Sequence, residues 1–266
     1  MLKRFIAAFA ALAFVLPVLF LGGQLGAELL VGLVVGLVLW EYAPMCDPQA
    51  RHGVFWVLAI VGLGLYALMC WGPQGWLVAG LIGAVFAVLT WSMLTRSTAE
   101  IGARTGAMMA FGLLYIPLPL GVIPKIREMD QGLAMVLLVL VCTWAADSGA
   151  YFAGRALGKT KLLERISPKK TWAGVWGGVA LAVAVAVGMA AVGYPAIPVE
   201  HAAGIGALVS IVGVVGDLIE SMFKRASGIK DTGGILPGHG GMLDRVDGML
   251  FTVPAAWIYL RLVGLG

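Results

Sequence analysis

Side chains that can bind phosphate and metal are concentrated in residues 221–247, SMFKRASGIKDTGGILPGHGGMLDRVD. Only 12% of the chain is charged, so this clustering needs a cause. Cations suited to phosphate oxygens are Lys224, Arg225, Lys230 and Arg245, and carboxylates suited to a divalent cation are Asp231, Asp244 and Asp247. The glycines around His239 permit close backbone approach to phosphate, and its ring can donate a hydrogen bond. The segment predicts a site for a polyphosphate substrate and a metal ion.

Two further carboxylates lie in or beside apolar stretches. Asp147 occurs in TWAADSGAYFAGRALGKTK, and Asp217 occurs in VVGDLIESMFKR. A carboxylate inside a membrane span costs several kcal/mol unless it is paired, solvated or bound to a metal. We therefore predict functional roles for both. The alternative for each is a carboxylate at a helix end, wetted by the interface or paired with a basic neighbour.

Two adjacent lysines, Lys169 and Lys170, stand in SPKKT just before an apolar run. They can bind a phosphate with help from the positive end of the following helix, or they can simply anchor the chain on one membrane side. The nearby sequence GRALGKT is not a P-loop, because only three residues separate its glycines and no strand precedes it.

The elements that carry these residues are predicted to be membrane-spanning helices. Hydrophobic residues make up 61% of the chain, and the mean hydropathy is +0.96. Apolar runs long enough to cross a bilayer recur throughout, and spanning segments must satisfy their own backbone hydrogen bonds. The predicted spans are 5–22, 25–43, 54–71, 76–94, 106–121, 132–154, 173–193, 203–222 and 249–264.

The fold class is thus all-α, a polytopic membrane protein with about nine transmembrane helices. Residues 1–266 form one membrane domain, in which 1–131 scaffold and can dimerise while 132–266 carry the chemistry.

The basic residues predict the orientation of the chain. With the N-terminus in the cytoplasm, all but three of the 18 Lys and Arg residues fall on the cytoplasmic side, the exceptions being Lys125, Arg127 and Arg261. This places the polar segments at the cytoplasmic face, and we expect a cell inner (plasma) membrane. A nucleic-acid partner is disfavoured, because the cations lie in short juxtamembrane loops. The three cysteines show no disulfide or zinc pattern.

The run S-M-F-K-R-x4-K-D-T-G-G-I-L-P-G-H-G-G-M-L-D-R-V-D resembles the signature of the phosphatidate cytidylyltransferase (CDP-diacylglycerol synthase) family. The segments DSGAYFAGRALGK and SPKKTWAGVWGG are similar to that family's other two recurrent motifs. Ala173 departs from the pattern, because many members carry an acidic or polar residue there. A polar role at this one position is therefore not expected.

The resemblance implies transfer of a cytidylyl group from CTP to phosphatidate, which remains in the bilayer. It further implies magnesium, with a second, monovalent cation such as K+, and a homodimer. The expected catalytic residues are Asp217, Lys224, Arg225, Asp231, His239, Asp244, Arg245 and Asp247, of which Asp217, Asp244 and Asp247 would hold the metal. The expected substrate-binding residues are Asp147, Lys169, Lys170 and Lys230.

Two other classes stay open on the residues alone. One is a related lipid enzyme with another acceptor, or a CTP-dependent lipid kinase, on a similar membrane scaffold. The other is a transporter with intramembrane acids that bind coupling ions. The polar residues are predicted at one membrane face rather than the midplane, and no inverted repeat is visible, so an enzyme is favoured.

Overall fold

A computed structural model describes residues 15–73, 75–229, 232–233 and 240–265. The chain folds as two compact units, one formed by residues 1–124 and 231–245 (unit 1) and the other by residues 125–230 and 246–266 (unit 2). The predicted division into a scaffold and a catalytic part stays a prediction. Besides helical residues 15–21, the elements are α1 (Gly23–Cys46), α2 (Arg51–Trp71), α3 (Trp76–Thr95), α4 (Ala99–Tyr115), α5 (Pro117–Arg127), α6 (Gly132–Leu157), β1 (Lys161–Leu163), β2 (Ser167–Thr171), α7 (Trp172–Ala191), α8 (Val199–Ala226), α9 (Leu243–Val246) and α10 (Met249–Leu262).

The helices have the length and composition of membrane spans. Within the described residues, seven helical segments are long and apolar enough to cross a bilayer, with α4 and α5 counted together. Large apolar side chains such as Leu33, Ile60 and Phe86 are exposed on them, which suits a lipid surrounding. The all-α, polytopic class is confirmed.

The number of spans and the orientation stay predictions. Most of the predicted span 5–22 lies outside the described residues. The predicted span 249–264 forms α10, whose 14 residues extend about 21 Å, less than a hydrocarbon core of roughly 30 Å.

The predicted span at 106–121 is longer and more broken than its hydropathy indicated. α4 begins at Ala99, where Thr98 caps it by accepting a hydrogen bond from the N–H of Ile101 at 3.2 Å. The helix ends at Tyr115, and α5 begins at Pro117. Proline has no N–H to continue the helical ladder but fits the first position of a new helix, so the helix breaks here.

In unit 1, the C-terminal half of α1 packs against α4. The Tyr42 hydroxyl donates to the carbonyl of Met108 on α4 at 2.8 Å, and its ring lies against Gly112. Leu39 and Leu113 are both fully buried. α1 is therefore tied firmly to α4.

Unit 2 depends on close approach of helix backbones. A Cβ added at Gly149 of α6 would meet the carbonyl of Gly177 on α7, and one added at Gly206 of α8 would lie 2.8 Å from the carbonyl of Ala182. Small residues at such positions let helices pack tightly where no hydrophobic driving force acts. This packing fixes the relative positions of α6, α7 and α8.

The sequence analysis did not predict the short antiparallel hairpin that precedes α7. Its strands β1 and β2 pair Lys161 with Thr171. Thr171 also caps α7, because its hydroxyl accepts a hydrogen bond from the N–H of Gly174 at 3.1 Å. The hairpin thereby fixes Lys169 and Lys170 just outside the N-terminus of α7.

Candidate active site

Unit 2 contains a cavity of about 220 Å³ between the hairpin and helices α6, α7 and α8. Four residues that the sequence analysis selected line it, namely Asp147, Lys169, Lys170 and Asp217. The rest of the lining is mostly small or apolar, including Ala146, Val175, Val209, Gly213 and Val214. The structure thus brings two lysines and two carboxylates from three elements to one cavity.

Lys170 and Asp217 form an ion pair in this cavity. The Lys170 Nζ lies 2.6 Å from Asp217 Oδ2 and 3.5 Å from the carbonyl oxygen of Val214. Their side chains remain 24% and 27% exposed, so water and ligands can reach both charges. The sequence analysis gave these residues separate partners, a phosphate and a metal. In the structure each neutralises the other.

Asp247 lies between α9 and α10, outside the predicted bilayer spans, in a region of concentrated negative charge. Burial, followed by the negative charges of Asp217, Glu220 and Asp147 in that order, together raise the pKa of Asp247 to about 8. The N–H of Gly248, which donates to Asp247 Oδ1 at 2.7 Å, opposes this increase in pKa. Like charges held near a buried carboxylate favour either a proton or a bound cation.

These carboxylates fit the chemistry of magnesium. Magnesium prefers oxygen ligands and is usually bound by one or two carboxylates, with waters and substrate phosphates in the other positions. Across the part of the chain that the structure describes, no group of three or more His, Cys, Asp or Glu side chains is arranged to hold a metal ion.

Lys224 and Glu220 pair along α8. Their charged atoms lie 2.6 Å apart, and the side chains are 12% and 2% exposed. Lys224 therefore already has a carboxylate partner in the structure. Its neighbour Arg225 is exposed in the last turn of the helix, where a cation is favourable beside the negative helix end.

Asp244 and Arg245 fall in residues 231–245, the glycine-rich segment of unit 1. Asp244 Oδ2 accepts hydrogen bonds from the N–H of Thr232 at 3.1 Å, the hydroxyl of Thr232 at 3.0 Å and the N–H of Gly241 at 3.0 Å. Arg245 is exposed beside it in α9. Three predicted residues, Lys230, Asp231 and His239, lie outside the described residues.

Comparison with known proteins assigns the chain to a family. The family model described as "Cytidylyltransferase family" matches residues 2–263. The chain is 36% identical to the phosphatidate cytidylyltransferase of Pseudomonas aeruginosa, covering 99% of this chain and 98% of the relative. It is 34% identical to that of Thermotoga maritima over 89% of each protein, and 34% identical to that of Haemophilus influenzae over 95% of this chain and 96% of the relative. This chain belongs to the cytidylyltransferase family.

In this cytidylyltransferase family member, Glu41 of α1 is a residue that the sequence analysis overlooked. It is only 2% exposed, and its Oε2 accepts a hydrogen bond from the N–H of Leu243 at 2.9 Å. The Thr232 hydroxyl lies 3.4 Å from the same oxygen. The sequence analysis selected Asp217 because a carboxylate in an apolar span is energetically costly. The same argument applies to Glu41 and could have identified it.

Two hydroxyls at the cavity also escaped notice. Ser210 is buried, and its hydroxyl has no hydrogen-bond partner among the described residues. Thr143 donates to the carbonyl of Val139 at 2.8 Å and lies 3.3 Å from the Thr252 hydroxyl. Isolated Ser and Thr residues are ordinary in membrane helices, so the sequence gives no signal for them.

Proposed function

We propose that this family member transfers a cytidylyl group from CTP to phosphatidate, giving CDP-diacylglycerol and pyrophosphate. The observation that carries this function is the similarity to phosphatidate cytidylyltransferases over nearly the whole of both chains. The cavity supports it, because its lysines and carboxylates are what a reaction between two phosphate compounds requires.

The reaction needs charge stabilisation more than proton transfer. A phosphate oxygen of phosphatidate attacks the α-phosphorus of CTP, a new P–O bond forms, and the bond to the bridging oxygen of the β-phosphate breaks. The attacking phosphate is already anionic at neutral pH, so no strong general base is required. Lys169 and Lys170 stand where fixed cations can bring two anions together and stabilise the departing pyrophosphate.

Magnesium is the proposed metal, and Asp217 and Asp247 are its proposed ligands in unit 2. The crowding of carboxylates that raises the pKa of Asp247 supports this assignment. When bound, the ion supplies positive charge that polarises phosphate oxygens. With the ion bound, Asp217 would no longer pair with Lys170, whose ammonium group would then be available to a phosphate. Asp244 as a third ligand, and a second, monovalent cation such as K+, are proposed from the sequence resemblance alone.

The other site residues keep roles that come from the sequence. Lys224, Arg225, Lys230 and Arg245 are proposed to hold the triphosphate of CTP. Asp147 is proposed to contact substrate from the cavity wall, and Asp231 and His239 to act within the signature segment.

The cytoplasmic face of a cell inner membrane is the proposed location, with nine spans, the N-terminus inside and a homodimeric assembly. The distribution of Lys and Arg supports the orientation. Phosphatidate then presents its headgroup at the same interface where cytosolic CTP arrives.

Pyrophosphate release from the purified protein in detergent tests the function. The assay contains CTP, phosphatidate and magnesium, with each omitted in turn, and the lipid product is identified. We expect release only when all three are present, together with a CDP-lipid. Turnover with a different lipid acceptor would show that phosphatidate is not the substrate. No pyrophosphate release with any lipid would favour the alternative that the protein is a transporter.

A further inference from the structure

Glu41 holds the glycine-rich segment of unit 1 from a distant part of the chain. The bond from the N–H of Leu243 to Glu41 Oε2 joins residues 202 positions apart. Leu243 begins α9 and directly precedes Asp244. The carboxylate therefore accepts one of the first N–H groups of a short helix whose next two residues are Asp244 and Arg245, so it fixes where that helix begins.

The Thr232 hydroxyl lies between the two carboxylates. It is 3.0 Å from Asp244 Oδ2 and 3.4 Å from Glu41 Oε2, and its single hydrogen can serve only one of them at a time. The shorter distance favours Asp244. Thr232 thus fixes Asp244, while the Leu243 N–H is the main attachment of Glu41 to the segment.

Two glycines of the segment make room for the Glu41 carboxylate. A Cβ added at Gly233 would lie 2.5 Å from Glu41 Oε1, and one added at Gly241 would overlap both Glu41 Oε2 and Thr232 Oγ1. Neither glycine has a positive φ, unlike Gly240, which directly precedes Gly241. At positions 233 and 241 glycine is therefore required by contact with Glu41 rather than by backbone conformation.

We propose that Glu41 is a positioning residue of the cytidylyl-transfer reaction, which acts by fixing the backbone that presents Asp244 and Arg245. A buried carboxylate in an apolar helix is costly, and here its Oε2 accepts its hydrogen bond from the segment rather than from a neighbouring helix. The inference rests on the proposed roles of Asp244 and Arg245. It assigns to α1 a part in the function that is carried by Glu41.

Substitutions at Glu41 separate positioning from a direct role of its charge. Glu41→Ala removes the acceptor, whereas Glu41→Gln keeps a carbonyl oxygen that can accept from the Leu243 N–H. We expect Glu41→Ala to raise the magnesium concentration for half-maximal pyrophosphate release by about tenfold and to weaken Mn²⁺ binding, measured by electron paramagnetic resonance without substrate, to a similar extent. Glu41→Gln should stay within about threefold of wild type in both measurements.

Glu28 provides a matched control on the same helix. It is equally buried, but its carboxylate accepts from Trp71 Nε1 at 2.7 Å and Gln24 Nε2 at 2.9 Å. Glu28→Ala should lower the thermal midpoint without changing the magnesium or Mn²⁺ dependence. If Glu41→Ala does not fold, Gly233→Ala serves instead, because its Cβ would lie 2.5 Å from Glu41 Oε1 and displace the carboxylate, and it should likewise weaken Mn²⁺ binding.

Three results would overturn the inference. Unchanged magnesium and Mn²⁺ dependence in Glu41→Ala would show that the segment does not need this anchor. An equal change in magnesium and Mn²⁺ dependence in Glu28→Ala would show that the effect is general destabilisation. An equal weakening of Mn²⁺ binding in Glu41→Gln would show that the charge of Glu41, rather than its hydrogen bond, is what the function needs. Failure of the proposed reaction is a separate outcome, because wild type would then release no pyrophosphate while the Mn²⁺ comparison still reports on Glu41.

Discussion

At the scale of single residues, the central feature is a pair of opposite charges that have different proposed partners during the reaction. Lys170 and Asp217 satisfy each other across 2.6 Å, which keeps two costly charges compensated in a partly buried cavity. A metal at Asp217 and a phosphate at Lys170 would replace that single bond by two. Under the proposed function, substrate and metal would therefore compete with an internal ion pair, and removing either residue of the pair leaves the other uncompensated.

Asp217→Asn should lower the rate of pyrophosphate release by about 10²–10³-fold, because it removes both the proposed metal ligand and the counter-charge of Lys170. The measurement is the initial rate as a function of magnesium. Lys161→Ala is the control, since Lys161 is an exposed hairpin lysine that does not line the cavity. Near-normal turnover of Asp217→Asn at limiting magnesium would contradict the metal assignment.

The raised pKa of Asp247 predicts a pH dependence of stability in the metal-free protein. Its pKa is about 8 when folded and near the ordinary value of 3.8 when unfolded, so between these values the folded state binds more protons. The contribution of Asp247 to the free energy of unfolding should therefore be greatest below about pH 4. It should decrease as the pH rises to about 8. Asp247→Asn should remove this decrease and raise the thermal midpoint at pH 8 in the presence of chelator. The same variant should lose the stabilisation that magnesium gives wild type, and a thermal midpoint at pH 8 equal to that of wild type would refute the assignment.

At the scale of elements, the junction between the hairpin and α7 is the feature that aims the lysines. Thr171 both ends β2 and caps α7, and a Cβ at Gly158 would collide with it, so the strand, the end of α6 and the start of α7 meet at one side chain. This junction, and not only the contacts of the two lysines, sets the orientation of Lys169 and Lys170.

Thr171→Val should remove the cap while keeping the side-chain shape. We expect about 1 kcal/mol of lost stability together with a several-fold higher KM for CTP or phosphatidate, since the lysines are no longer held. Thr171→Ser should restore both. Thr98→Val is the matched control, because Thr98 caps α4 in unit 1 with the same kind of bond. It should cost similar stability and leave KM unchanged, so an equal rise in KM for both variants would argue against a positioning role for Thr171.

At the scale of the whole molecule, the asymmetry of the basic residues is the feature with the most consequence. It predicts that the hairpin faces the cytoplasm and that the α2–α3 turn faces the opposite side. Substrate access, the direction of the cavity and the membrane location all follow from that orientation.

Impermeant maleimide labelling tests this orientation. In a variant without its three native cysteines, Glu164→Cys in the hairpin should react only in inside-out vesicles, and Pro73→Cys should react only in right-side-out vesicles. Both native side chains are exposed, so a lack of labelling cannot be attributed to burial by protein. The reverse pattern would invert the topology and move the cavity to the other face.

The sequence by itself determined the membrane class, the family resemblance and four residues of one cavity, Asp147, Lys169, Lys170 and Asp217. These are local properties, since apolar run length and the cost of a charge in lipid depend only on neighbouring residues. Only the tertiary structure decided that Lys170 pairs with Asp217, 47 residues away, and that Glu41 reaches Leu243 across 202 residues. Which face of one apolar helix meets another depends on the packing of small residues across long sequence separations, and a single sequence does not encode that pairing in any local pattern.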